Sequence, residues 1–152
     1  LIVTEPSEDI AAWVGGKIGV TFHPPFTAIA QVQGGRIIAG YVFNVWTEHD
    51  VEVSLAADRL SVTLMRAAFQ YVVEQLGCRR ATFRTRADNV QAQKALDRLG
   101  ARLEGRQTAY FGDCDALLYG ILKEDFPYGL HAEGPKGPRS DADGSGTDRD
   151  QC

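Results

Sequence analysis

The segment from residue 79 to 105, RRATFRTRADNVQAQKALDRLGARLEG, constrains the fold more than any other stretch of the chain. Polar and less polar side chains alternate over residues 80–86, which suits a strand. Asp88 and Asn89 each carry an oxygen able to accept from the first free amides of a helix, so one of them is the expected N-cap. Ala92, Ala95, Leu96 and Leu99 then share one helical face. Gly100 can take the left-handed conformation that ends a helix, and a further strand follows.

Upstream, Ser7 offers a cap for a first helix, with Glu8 and Asp9 at its positive end and Ile10, Val14 and Ile18 as an apolar stripe. Gly15, Gly16 and Gly19 predict that this helix is short or bent. Residues 27–33 alternate as a strand, and Gly34-Gly35 supplies a tight hairpin turn. The return strand, 36–45, is nearly all apolar and predicts burial on both faces. Another strand is expected over about 51–57. Residues 60–76 give the strongest helical pattern, with Leu60, Leu64, Ala68, Phe69, Val72, Val73 and Leu76 on its buried face and Gly77 as its stop. Strands over 101–107 and 116–123 close the order. The sum is a mixed α/β domain with a crossover helix between two parallel strands, expected over residues 1–126. From residue 127 to 152, Pro, Gly, Ser and Asp dominate, which predicts a disordered low-complexity tail.

Composition narrows the function. The net charge of −4 attracts no nucleic acid globally. Cys78, Cys114 and Cys152 are scattered, with no disulfide framework and no metal-ligand spacing, and a reducing cytoplasm is the simplest compartment. The opening LIVTEPSEDIAAWV brings acids at once and no basic residue ahead of its apolar ones, unlike a signal peptide. No apolar run is long enough to cross a bilayer.

The 79–105 segment resembles the back half of the GCN5-related N-acetyltransferases, the GNAT superfamily. Asn89, Ala92, Leu99, Gly100, Glu104 and Gly105 match that family's strand–Asn–helix–Leu-Gly–Glu-Gly pattern, while Ala101 stands where an aromatic residue is usual. The element order agrees over residues 2–126. The AAWV and GYVFN strings further resemble phage-encoded members, and the branch that acetylates protein N-termini is a second affinity.

The resemblance implies a GNAT-like acyl-CoA N-acyltransferase fold, a central twisted mixed sheet flanked by helices. It implies acetyl-CoA as co-substrate and no metal. Two parallel strands splay apart, and the pantetheine arm pairs in the gap like an extra strand. By carry-over, main-chain groups of Ser54, Leu55 and Ala56 contact it, and an amide near Leu55 or Ala56 polarises the thioester carbonyl. The turn ADRLS, residues 57–61, takes the place of the pyrophosphate loop. It lacks that loop's glycines, leaving the Arg59 charge, the Ser61 hydroxyl and the amides of Arg59, Leu60 and Ser61 to hold the phosphates, with Asp58 opposing them. Alternatively Asp58 caps the long helix. Asn89 and Lys94 are further candidate CoA contacts.

An amine acceptor has to lose a proton. Glu48, His49 and Glu52 are the candidate bases. The family's usual proton-donating Tyr falls at Leu96, leaving Tyr110 and Tyr119 as substitutes, although packing is the simpler role for both. Cys114 has no evident basic partner to make it a nucleophile. Arg80, Arg84 and Arg86 share one strand face, read either as a salt-bridged surface or as a track for an acidic partner. The leading expectation is an N-acetyltransferase acting by direct attack of an amine on a small molecule or peptide, either as a monomer or as a homodimer. The alternative is an inactive GNAT-shaped module that binds a protein partner or nucleic acid.

Overall fold

A computed structural model describes residues 1–127. The tail expected over 127–152 lies, Pro127 apart, outside the described residues. Strand β1 (Ile2–Val3) is followed by α1 (Ser7–Ile18), β2 (Thr27–Gln33), β3 (Arg36–Asn44), β4 (Asp50–Ala57), α2 (Val62–Gln70), β5 (Arg80–Arg86), α3 (Val90–Arg98), β6 (Arg102–Gln107) and β7 (Ala116–Leu122). The seven strands form one sheet in the order β1-β2-β3-β4-β5-β7-β6. β4 and β5 run parallel, and the other neighbours pair antiparallel. The parallel pair needs a crossover, which α2 supplies. The mixed sheet with flanking helices is the expected fold class.

α1 covers one face. Its twelve residues continue through Gly15 and Gly16, so it is longer than its glycines suggest. Pro6 occupies the cap position and the Glu5 carboxylate accepts from the Ser7 amide at 2.9 Å, in place of the expected Ser7 cap. Gly15 is there for space. A Cβ on it would collide with the Val20 carbonyl, where the chain folds back over the helix end. That reversal, through Gly19 at φ 75°, aims Val20, Thr21 and Phe22 back along the sheet. Beneath α1 the strands present Ala28, Ala30, Gly40, Val42 and Ala56 to Ile10, Ala11 and Val14.

α2 and α3 cover the other face, over a larger core that includes Phe43, Val51, Leu64, Val72, Leu96 and Ile121. The single helix expected over 60–76 divides. Ser61 is the cap, its hydroxyl accepting from the Leu64 amide at 3.3 Å, so Leu60 is left outside the helix and exposed rather than buried. Asp58 does not cap; it pairs with Lys17 at 2.6 Å. After Gln70 the helix widens into a π-turn, Tyr71–Gln75, closed by Leu76 N–H to Tyr71 C=O at 3.0 Å. The extra residue in that turn shifts the helical phase, and Val73 and Leu76 are only partly buried. β3 ends at Asn44, one residue early, because Val45 takes φ 47°. β1 was not anticipated; two residues carry no periodicity.

Candidate active site

β4 and β5 are paired only from Asp50↔Arg80 to Val53↔Phe83. Beyond that point they part. Residues 54–57 of β4 continue on β3 alone, and residues 84–86 of β5 continue on β7 alone. Two hydrogen bonds fix which main-chain groups face the gap. Asp58 N–H donates to Ile38 C=O at 2.8 Å, so the even-numbered residues of β4 turn their main-chain groups to β3. His49 C=O accepts from the Arg79 and Arg80 amides at 2.9 and 3.1 Å, so the odd-numbered residues turn to β5. Leu55 and Ala57 therefore present N–H and C=O to the gap with no strand to receive them. The same groups of Ser54 and Ala56 belong to the β3 ladder, so of the expected Ser54, Leu55 and Ala56 only Leu55 turns its main chain to the gap, as Ala57 also does.

A cavity of about 530 Å³ lies at this gap and is lined by residues from both faces of the sheet. On the α2–α3 side its wall is mostly apolar, Leu60, Val62, Met65, Ala92, Ala95 and Leu96, with Asn89 and Arg98 at the two ends of α3 as its polar members. On the α1 side it is lined by Phe22, Asn44, Glu52, Arg84, Tyr110 and Phe111. An extended, amide-bearing chain laid in such a slot finds free strand-edge groups and a dry wall.

The expected site residues divide. Glu52 lies in the cavity with its side chain 18% exposed and its carboxylate bound to Nη1 of Arg84. Burial pushes its carboxyl above the usual carboxylate range; Arg84 pulls it back and Asp50 adds to the rise. Glu48 and His49 are not brought to the site. Their side chains are 89% and 67% exposed and face each other at 3.9 Å, outside the cavity. The loop that carries them turns away before β4 begins. Ser54, Leu55, Leu60 and Asn89 line the cavity. Asn89 also caps α3, accepting from the Ala92 amide at 3.1 Å. Ala56 packs under α1, the Ser61 hydroxyl is engaged as a cap, and Arg59 and Lys94 are exposed outside the cavity wall.

Leu96 lines the cavity, as does Tyr110, whose hydroxyl accepts from Arg84 Nη1 at 3.2 Å. Tyr119 is a core residue. Cys114 lies outside the cavity wall, its thiol donating to the Asp115 carbonyl at 3.4 Å. The arginine face is salt-bridged: Arg80 binds Asp50 and Glu104, Arg84 binds Glu52, and Arg86 binds Asp88 and Asp113. Sequence reasoning missed Lys17, Phe22, Asn44 and Phe111. They lie on the end of α1, two loops and a strand terminus, where no periodic signal marks them.

No family model and no curated protein matches this chain. Solved structures do. Mutant forms of the spermidine/spermine N-acetyltransferase SpeG from Vibrio cholerae superpose with a TM-score of 0.66 at 11% identity, over 82% of this chain and 95% of that one. The ribosomal-protein-S18-alanine N-acetyltransferase from Escherichia coli gives 0.62 at 16% identity, over 80% and 92%. A GNAT family acetyltransferase from Elizabethkingia anophelis with acetyl-CoA bound gives 0.56 at 13% identity, over 78% and 85%. The chain has the fold of the GNAT acetyltransferases.

Proposed function

We propose that this protein moves an acetyl group from acetyl-CoA to a primary amine by direct attack. One observation carries the reading: β4 and β5 diverge after Val53 and Phe83 at a cavity lined by residues from both faces of the sheet. Acetyl-CoA fits the α2–α3 side. Its pantetheine arm pairs with the edge groups of Leu55 and Ala57 against the apolar wall, and its pyrophosphate meets the free amides at the start of α2. Lys17, bound to Asp58, removes the carboxylate's objection to phosphate at the glycine-free turn.

The amine approaches from the α1 side. Glu52, directly or through one water, takes its proton, and burial makes that carboxylate a stronger base than an exposed one. The amine nitrogen bonds to the thioester carbon and the carbon–sulfur bond breaks. Leu55 N–H, the first free donor past the paired region, supports the negative charge that builds on the carbonyl oxygen. The departing sulfur takes a proton from Tyr110 or from water, and the second proton that the nitrogen sheds as the amide forms replaces it. Neither described cysteine lines the cavity, which favours a route without an acyl-enzyme.

Thermal unfolding with acetyl-CoA, with desulfo-CoA and with neither tests the reading. A ligand at a hundred times its Kd adds about 2.7 kcal/mol of stability, a shift of several degrees. No rise in Tm with either compound sinks it.

A further inference from the structure

We infer that the acceptor is a monoamine whose single ammonium stands beside an apolar or aromatic body, not a polyamine. The inference rests on the acetyl-transfer reading above. The cavity lining holds four cations, Lys17, Arg84, Arg86 and Arg98, and one carboxylate, Glu52, among the described residues. Glu52 is already bound to Arg84. Lys17 and Arg86 are paired as well, with Asp58 and with Asp88 and Asp113, so a chain bearing several ammonium groups finds one carboxylate among the described lining residues, already shared with Arg84, and its other charges lose water without gaining a partner there. One ammonium, which gives up its proton as it reacts, is what a single base can serve.

The walls around Glu52 suit an apolar body. Phe22 comes from the chain reversal after α1, and Tyr110 and Phe111 come from the loop between β6 and β7. Tyr110 and Phe111 meet edge to face, with ring centroids 5.0 Å apart. Arg84 lies over the Tyr110 ring at 4.4 Å and Arg86 over Phe111 at 5.4 Å. Both guanidiniums are bound to carboxylates, so the charge that lies over each ring is neutralised. The loop is also built to hold its shape. Asp113 binds Arg86 at 3.1 Å, and Asp115 binds Arg106 at 2.6 Å and accepts from the Ala109 amide at 2.7 Å. A prearranged aromatic wall beside one half-buried carboxylate favours a flat or branched apolar group next to the reacting nitrogen. Both a free arylalkylamine and a peptide with an apolar first residue carry that chemistry.

The test measures thiol release from acetyl-CoA by the full chain with 2-phenylethylamine, a peptide beginning with Phe, spermidine and spermine. The expected result is a kcat/KM for one of the two monoamines at least about tenfold above that for spermidine, with the better of the two identifying the source. Phe111→Ala is expected to lower that preference by about tenfold while keeping the Tm rise with acetyl-CoA. Spermidine or spermine serving as well as either monoamine overturns the inference, as does a Tm rise with acetyl-CoA but no transfer to either monoamine. If the Phe111→Ala protein does not fold, the wild-type ranking decides. Absence of any Tm rise is different, because it strikes the acetyl-transfer reading itself.

Discussion

Replacing Leu55 by proline removes one N–H from β4 and asks whether that donor matters. The register places this amide on the gap side, two residues past the last bonded pair neighbour on β5, so no ladder bond is lost. Proline is tolerated in a strand where its missing N–H faces away from a partner. Leu55 packs partly against the larger core, and trimming it to alanine costs about 1–2 kcal/mol. Leu55→Pro should then lie within about 1 kcal/mol of Leu55→Ala in stability. Ala56→Pro is the contrast. It deletes a ladder bond to Gly40, leaves a buried carbonyl unpaired and should cost about 3 kcal/mol, a fall in Tm of roughly 10 °C. In turnover the order reverses in meaning. Loss of a donor aimed at a developing oxyanion lowers kcat about 10²–10³-fold, so Leu55→Pro should turn over that much more slowly than Leu55→Ala. Melting curves and steady-state thiol release on the three variants supply the readings. Equal turnover of Leu55→Pro and Leu55→Ala refutes the role of this amide, and equal melting of Leu55→Pro and Ala56→Pro refutes the assignment of strand faces.

Glu52→Gln should lower kcat/KM by about 10²–10⁴-fold and abolish the limb of the pH–rate profile that lies above the ordinary carboxylate range. The wild-type rate should rise with pH through the Glu52 pKa, because a proposed base has to be ionised to act. The stability contribution runs the other way: with the folded pKa raised by burial, it is complete below the unfolded value and lost as pH rises through the folded one. A variant profile identical to wild type removes Glu52 from the mechanism. Gly40→Ala should destabilise by about 1–3 kcal/mol, lowering Tm by roughly 3–10 °C in a thermal melt, because its Cβ would stand 2.9 Å from Val14 Cγ2 and 3.3 Å from Ile10 Cγ2, both fully buried. A melt within about 1 °C of wild type would show that α1 does not sit on this strand as tightly as described.

What the sequence determined by itself was local. The bounds of β2 and β5, the Gly34-Gly35 turn and the Asn89 cap follow from nearest neighbours: side-chain alternation, backbone permissiveness at glycine, and one oxygen reaching an amide three residues on. The start of α2 was less legible, since Asp58 and Ser61 both suit a cap and only the distant Lys17 draws Asp58 away. The same holds for the candidate bases. Glu48, His49 and Glu52 are near-equivalent on paper, and burial beside Arg84, a residue 32 positions later, separates Glu52 from the other two. Tertiary structure alone decided the site, because a gap between two strands, the face each amide turns to, and an aromatic wall assembled from separate loops are relations between distant segments that no local pattern encodes.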